Sequence, residues 1–268
     1  MEVVILRDAD AVAIKGAQLL IELVIQKHDA VLGLATGRTP KALYKELVRK
    51  HQNGEVSFAD VTTFNLDEYL GIAADDPQSY RSFMNNILFQ HIDIDPDNTY
   101  LPYCKKEENP RTFGLVFEDD ILCNGGIDLQ VLGIGRNGHI GFNEPASSLS
   151  SRTRVKTLTQ RTLEDNSQLF EKNEFQPRLA MTMGIATILD ARKILLLATG
   201  NEKADAVQSM VEGPLSSMCP ASALQLHQHV SVLMDEQAAQ GLKNKDYYQW
   251  VYEQNESLRK QFGSFYNI

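Results

Sequence analysis

Ala30–Lys50 reads AVLGLATGRTPKALYKELVRK and contains, in order, an apolar run, a glycine-bearing turn and a helix-like stretch. The run AVLGLA has no polar face, which is typical of a strand that is covered on both sides of a sheet. Pro40 falls where the helix should begin, and proline suits the first helical turn. A buried strand that leads directly into a helix predicts one unit of a parallel α/β sheet.

The rest of the chain repeats this alternation of strands and helices. The predicted strands are Val3–Leu6, Ala30–Ala35, Val61–Asn65, Ile127–Gly133, Lys193–Ala198 and Val230–Met234. The predicted helices are Asp10–Gln26, Pro40–Lys50, Ser79–Ile92 with Ser79 as its cap, Asn201–Val211 with Asn201 as its cap, and Asp246–Phe262. We therefore expect residues 1–268 to form a single α/β domain, with a doubly wound, mostly parallel sheet and helices on both faces, of a modified Rossmann-like type.

Composition narrows the class of protein. The 268 residues carry a formal net charge of −9, which argues against a nucleic-acid partner, because such a partner needs a broad basic surface. Three dispersed cysteines fit reduced thiols better than a disulfide framework or a zinc site. The start MEVVILRDAD does not resemble a signal peptide, and the longest apolar runs are of strand length. We expect a cytoplasmic protein that does not cross a membrane.

Two segments that follow predicted strands could bind an anion. Ligands of doubly wound sheets bind at the carboxyl ends of the strands. The segment TGRTP offers backbone N–H groups at a helix start, together with hydroxyl and guanidinium donors. Its candidate residues are Thr36, Gly37, Arg38 and Thr39. Lys203 follows the strand KILLLA and could add a point charge. Each segment alone is equally compatible with an ordinary turn that binds nothing.

Two other segments carry groups that could transfer protons. The motif FNLDEY places Asp67 at a strand end, where partial burial can raise the pKa of a carboxyl group toward that of a general base. In GIGRNGHIGFNEP, glycines flank His139, and Asn137 and Glu144 are near it in sequence. Histidine transfers protons near neutral pH, and a carboxylate can orient it. The cluster has no serine or cysteine nucleophile, which favours proton transfer over acyl transfer. A solvated acidic turn and a structural histidine are the alternatives.

Taken together, these segments resemble the glucosamine-6-phosphate deaminase (isomerase) family from about Val31 to Asp235. LATGRTP is similar to the family's phosphate loop, FNLDEY to its catalytic aspartate motif, GHIGFNEP to its ring-opening motif and ATGNEK to its lysine-bearing phosphate segment. Each motif alone is common, but their order and spacing together are specific.

The resemblance implies conversion of D-glucosamine 6-phosphate and water to D-fructose 6-phosphate and ammonia, without a cofactor or metal. It implies that His139, supported by Glu144 and more weakly by Asn137, opens the sugar ring, and that Asp67 moves a proton between C2 and C1. We expect the amide oxygen of Asn137 to accept a hydrogen bond from the imidazole if it orients His139.

The phosphate cradle departs from the family pattern. Members commonly place an arginine where Gln168 stands, and glutamine supplies neither the charge nor the bidentate fork of arginine. The phosphate loop carries Arg38 where members usually have a small residue. Our hypothesis is that Arg38 replaces the lost cation; the rival hypothesis is an altered substrate.

The segment ASSLSSRTRVKTLT resembles the allosteric segment of hexameric family members, which N-acetylglucosamine 6-phosphate activates. By this resemblance the activator would contact Ser147, Arg154, Lys156 and Thr157, with Tyr247 or Tyr248 as a further candidate. The same resemblance implies a homo-oligomer, in the form of a hexamer.

Three other functions remain open from the sequence. A paralogue could act on another hexosamine phosphate, such as galactosamine 6-phosphate. A 6-phosphogluconolactonase would share the fold and a related glycine–histidine motif, although the FNLDEY aspartate and the GFNEP glutamate favour the deaminase. A non-catalytic sugar-phosphate sensor would not need Asp67, His139 and Glu144 together.

Overall fold

The computed structural model describes residues 1–105, 108–159 and 177–263. Its strands are β1 (Glu2–Leu6), β2 (Val31–Leu34), β3 (Thr62–Asn65), β4 (Asp67–Tyr69), β5 (Thr99–Tyr100), β6 (Leu129–Gly133), β7 (Arg154–Thr157), β8 (Leu179–Thr182), β9 (Lys193–Ala198) and β10 (Val230–Asp235). Its α-helices are α1 (Ala9–Gln26), α2 (Arg38–Gln52), α3 (Tyr80–Ile87), α4 (Pro110–Cys123), α5 (Ile185–Leu189), α6 (Ala204–Val211) and α7 (Lys245–Phe262).

Seven of the described strands form one sheet in the order β1-β10-β9-β6-β2-β3-β5, and its strand pairs are parallel. One core packs α1 and α2 against one face, through residues such as Leu20 and Leu43. A second core packs α4 and α6 against the other face, through Phe117 and Val207. The predicted doubly wound, mostly parallel sheet is therefore confirmed. Among the described residues, no helix combines the length and apolar character needed to cross a membrane.

A smaller antiparallel sheet, which the sequence analysis did not predict, adjoins the carboxyl end of β3. Its order is β4-β8-β7, with Asp67 and Arg154 both paired with Thr182. The chain passes from the large sheet to the small one at a single residue, Leu66. Leu66 donates its N–H to Leu34 O in the large sheet (3.0 Å) and accepts from Met183 N, next to β8, at 2.7 Å.

The two predicted helix caps have different outcomes. Ser79 caps α3, because its Oγ accepts from Ser82 N at 3.0 Å. The predicted cap at Asn201 is wrong. Asn201–Lys203 form a short 3₁₀ turn whose cap is Gly200, and α6 starts only at Ala204. Gly200 has φ of 90°, a left-handed conformation that glycine adopts without strain, and this redirects the chain before the helix begins.

Candidate active site

A cavity of about 870 Å³ opens at the carboxyl ends of the central strands. It collects six of the predicted site residues, namely Thr36, Arg38, Thr39, Asp67, His139 and Lys203. Residues that the sequence analysis did not select also line it, among them Tyr80, Arg136 and Asp235. The sequence could have indicated two of them, because Arg136 and Asp235 follow predicted strands at the same edge of the sheet.

The two predicted anion segments meet at one end of this cavity. Thr39 lies in the first turn of α2, and its hydroxyl is hydrogen-bonded to that of Thr199 at 3.2 Å. Thr199 precedes the 3₁₀ turn that carries Lys203. The end of the cavity therefore combines the N-terminus of a 15-residue helix, two hydroxyl groups and the basic side chains of Arg38 and Lys203.

Asp67 is buried at the junction of the two sheets, with 5% of its surface exposed. Burial, assisted by the nearby Glu68 carboxylate, raises the pKa of Asp67 from its ordinary value near 3.8 to about 8. Burial destabilises the charged form of a carboxyl group, which is the reason for the direction of this shift. The arrangement gives Asp67 a proton affinity suited to exchange near neutral pH.

Glu68, the second carboxylate of the FNLDEY motif, has a different environment. Its side chain is fully buried and accepts hydrogen bonds from the backbone N–H groups of Tyr69 (2.8 Å), Tyr80 (3.0 Å) and Arg81 (2.9 Å). Burial raises the pKa of Glu68, and the three N–H donors act against that rise. Glu68 thus satisfies the N–H groups of the first two residues of α3 and does not line the cavity.

His139 lies on the loop between β6 and β7, with its ring directly over Gly135. A Cβ atom at Gly135 would be only 2.2 Å from His139 Cε1, so a side chain there would displace the ring. His139 Nδ1 is 3.5 Å from Glu144 Oε2. That separation exceeds the roughly 3 Å of a formed hydrogen bond, and the Glu144 carboxylate is buried beside the ring.

Asn137 does not contact the imidazole, which corrects the expected hydrogen bond. Its Oδ1 accepts from the backbone N–H of His139 at 3.2 Å, and its Nδ2 donates to Glu144 Oε2 at 2.7 Å. The cause is that both amide atoms of Asn137 already have partners in the loop, the backbone N–H of His139 and the carboxylate of Glu144. Asn137 therefore holds the backbone of His139 and the carboxylate of Glu144, and neither of its amide atoms supports the ring directly.

The small sheet brings the aspartate and histidine segments together. Thr182, which pairs with Asp67, accepts at Oγ1 from Phe142 N at 3.1 Å. Asn143 Nδ2 donates to Met183 O at 2.8 Å. The histidine loop is thus hydrogen-bonded to the same strand, β8, that positions Asp67.

The residues assigned to an activator site are only partly brought together. Arg154 lies on β7 and donates to Asn143 Oδ1 at 2.9 Å, next to Glu144. Ser147 is buried, and Lys156 and Thr157 lie on β7, at the edge of the small sheet. Tyr247 and Tyr248 lie on α7, which packs against β1 at the far edge of the large sheet, and Tyr248 donates to Glu212 at 3.2 Å. Gln168 lies outside the described residues.

In the part of the chain that the structure describes, no group of three or more His, Cys, Asp or Glu side chains is arranged to hold a metal ion.

Fold and cavity together define a class: an α/β protein with one pocket that is lined by a helix N-terminus, basic side chains, a buried aspartate and a histidine. Residues 7–234 match the family described as glucosamine-6-phosphate isomerases/6-phosphogluconolactonase, and the chain belongs to this family.

Individual relatives agree with this assignment. The chain is 59% identical over 267 residues to a glucosamine-6-phosphate deaminase of Colwellia psychrerythraea, with 100% of both chains covered. A solved structure of a protein described as a monomeric glucosamine-6-phosphate deaminase superposes with a TM-score of 0.87 at 44% identity, covering 90% of this chain and 100% of that chain. A 6-phosphogluconolactonase from Trypanosoma cruzi gives a TM-score of 0.71 at 19% identity, covering 90% and 97%. The latter likeness concerns the fold alone.

The raised pKa of Asp67 predicts a pH-dependent stability. Between about pH 4 and pH 8 the folded protein holds a proton that the unfolded chain releases, so the free energy of unfolding falls as the pH rises. Asparagine does not ionise. We expect the free energy of unfolding of Asp67→Asn to exceed that of the parent. The difference should grow with pH over this range, by up to about 1.4 kcal/mol per pH unit.

Urea unfolding of both proteins at several pH values from 5 to 8 measures this margin. Asp60→Asn, at an exposed position outside the cavity, controls for the loss of one negative charge. A margin that stays constant with pH would contradict the burial of an ionisable Asp67.

Proposed function

We propose that this protein is a glucosamine-6-phosphate deaminase, which converts D-glucosamine 6-phosphate and water to D-fructose 6-phosphate and ammonia. The observation that carries the proposal is the placement of Asp67 and His139 on the same cavity as the start of α2 and Lys203. The full-length similarity to proteins named for this activity supports it. The pathway would be amino-sugar catabolism, and the three cysteines, all free thiols, are consistent with a cytoplasmic location.

His139 performs the ring opening in this proposal. The imidazole accepts the proton of the C1 hydroxyl group and returns a proton to the ring oxygen, which breaks the bond between C1 and that oxygen. Glu144, 3.5 Å from Nδ1, stabilises the imidazolium that forms between these two transfers. Asn137 holds the Glu144 carboxylate and the His139 backbone in position through its two hydrogen bonds.

Asp67 performs the isomerisation of the open chain. As a carboxylate it removes the proton from C2 and then delivers it to C1, while one proton of the ammonium group passes to the carbonyl oxygen at C1. Together these transfers convert the amino aldose to a ketose-level imine that carries a hydroxyl group at C1. Water hydrolyses the imine and releases ammonia. A carboxyl group with a pKa of about 8 gives up and takes back this proton readily, and the positively charged amino group of the bound sugar favours its ionised form.

The substrate phosphate lies at the anion end of the cavity. The residues proposed to hold it are Thr36, Gly37, Arg38, Thr39 and Lys203. Backbone N–H groups at the start of α2 supply the directional contacts, and the basic side chains supply charge. Binding of the remote phosphate fixes the reacting carbons relative to Asp67 and His139, which lowers the entropic part of the barrier.

A substrate panel tests the proposed activity. We expect ammonia release from glucosamine 6-phosphate, with a much smaller kcat/KM for glucosamine, which lacks the phosphate. Galactosamine 6-phosphate and 6-phosphogluconolactone complete the panel. Preferred turnover of galactosamine 6-phosphate, hydrolysis of the lactone alone, or binding without turnover would each contradict the proposal and indicate one of the alternative functions.

Arg38→Ala tests the hypothesis that Arg38 supplies the cation that Gln168 does not. We expect KM for the sugar phosphate to rise about tenfold with kcat little changed, because an exposed charge contact contributes on the order of 1 kcal/mol. Lys45→Ala is the matched control, since it removes an exposed cation from the same helix outside the cavity. Arg136→Ala shows whether KM depends equally on another arginine that lines the cavity. An unchanged KM in Arg38→Ala would refute the hypothesis.

We further propose that N-acetylglucosamine 6-phosphate activates the protein through the segment that contains Ser147, Arg154, Lys156 and Thr157, and that the active form is a hexamer. What supports a functional link is the hydrogen bond from Arg154 to Asn143, which joins β7 to the residue before Glu144. One solved relative is described as monomeric, so a monomer is the alternative to the hexamer proposed here.

Initial rates with and without saturating N-acetylglucosamine 6-phosphate test the activator site. We expect the substrate midpoint to fall in the parent protein and to fall less in Lys156→Ala, which removes one cation from an edge strand. Sedimentation of the same samples gives the oligomeric state. A substrate curve that the activator leaves unchanged in shape and midpoint would show that the segment has no regulatory role.

A further inference from the structure

Asp235 ends strand β10 and lines the anion end of the cavity. Only 5% of its surface is exposed. Both carboxylate oxygens accept from Gly200 N, at 3.1 and 3.0 Å, and Oδ1 also accepts from Ala238 N at 2.7 Å. This buried carboxylate is therefore held by backbone donors from two segments.

Gly200 is the residue through which Asp235 reaches the anion site. It precedes the 3₁₀ turn that carries Lys203, and Lys203 N donates back to Gly200 O at 3.1 Å. It follows Thr199, whose hydroxyl group is hydrogen-bonded to the hydroxyl group of Thr39 in the other anion segment. A change in the position of Gly200 would consequently move both Lys203 and the contact between the two segments.

The charge of Asp235 argues that its role is indirect. A carboxylate that touched a phosphate would repel it, yet Asp235 faces the end of the cavity where the basic side chains lie. Its oxygens are directed at backbone N–H groups, and charged acceptors make the stronger hydrogen bonds. The geometry is that of a support for the loop, not of a contact to the ligand.

We propose that Asp235 is a positioning residue for substrate binding: by holding the N–H of Gly200 it fixes Thr199 and Lys203 in the arrangement that receives the phosphate. This inference rests on the proposed function, because it assigns the anion end of the cavity to the substrate phosphate. The backbone at Gly200 is left-handed, with φ of 90°, a conformation that glycine adopts without strain.

Asp235→Asn is the conservative test. With the amide oxygen at the Oδ1 position, the amide NH₂ group takes the Oδ2 position and points a donor at the Gly200 N–H, so Gly200 loses one of its two contacts while Ala238 keeps its own. We expect KM to rise about tenfold while kcat stays within about twofold, which corresponds to the loss of one charge-assisted hydrogen bond. The inhibition constant of inorganic phosphate, a probe that reports only on the anion site, should rise in parallel.

A comparison of single and double variants at Asp235 and Lys203 distinguishes a positioning role of Asp235 from a general loss of stability. KM is measured for Asp235→Asn, Lys203→Ala and the double variant. If Asp235 acts through the Lys203 turn, its substitution should raise KM clearly less in the Lys203→Ala background than in the parent. Asp205→Asn is the matched control, since it removes an exposed carboxylate from the first turn of α6. Thermal unfolding of each variant verifies that it is folded, and Asp235→Ser replaces Asp235→Asn if the latter is not.

The outcomes distinguish this inference from the proposed function. If Lys203→Ala raises KM but Asp235→Asn leaves both KM and the phosphate inhibition constant unchanged, the inference alone is overturned. Additive effects of the two substitutions, or a fall in kcat at constant KM, also overturn it. If Lys203→Ala itself leaves KM unchanged, the phosphate assignment of the proposed function is wrong, and this inference is wrong with it.

Discussion

The chain passes from one sheet to the other at Leu66, and the rest of the site depends on this crossing. Leu66 donates to the parallel sheet and accepts from the antiparallel one, so its neighbours on either side belong to different sheets. Asp67 is the first residue of the second sheet, and it is buried because both sheets and the histidine loop surround it. A carboxyl group in such a position is protonated more easily than one in water, and that is the property a proton-transfer site requires.

The same crossing separates two tasks within one cavity. The groups that we propose for phosphate recognition belong to the parallel sheet, namely the start of α2 and the turn after β9. The groups that we propose for proton transfer are organised by the small sheet, since β8 pairs with Asp67 and is hydrogen-bonded to the loop that carries His139. A substitution among the proposed phosphate-binding groups can therefore change substrate binding without disturbing the proposed proton-transfer groups. This is why KM and kcat are expected to respond to different residues.

Much of the large sheet could be predicted from sequence, because its strands are continuous apolar runs such as AVLGLA and KILLLA. The small sheet could not, because β4, β7 and β8 have only three or four residues each, and Asp67 pairs with Thr182 far along the chain. The roles of Asp67 and His139 as cavity residues followed from their strand-end positions. The contacts of Asn137 did not, because they depend on how the loop places its side chain relative to Glu144, and the function of Glu68 as a cap depends on where α3 begins.

The glycines of the histidine loop are explained by steric limits at two points. At Gly135 the imidazole of His139 occupies the space that a Cβ would need, at 2.2 Å. At Gly141 a Cβ would lie 3.1 Å from Thr182 Oγ1 and 3.3 Å from Asp67 Oδ2, and the backbone has a left-handed φ of 53°. One loop thus passes beneath the histidine ring and over the aspartate, and it can do both only where it has no side chain. The motif GIGRNGHIGFNEP therefore combines chemical groups with a limit on the thickness of the loop, since its glycines leave room for the ring of His139 and for Asp67.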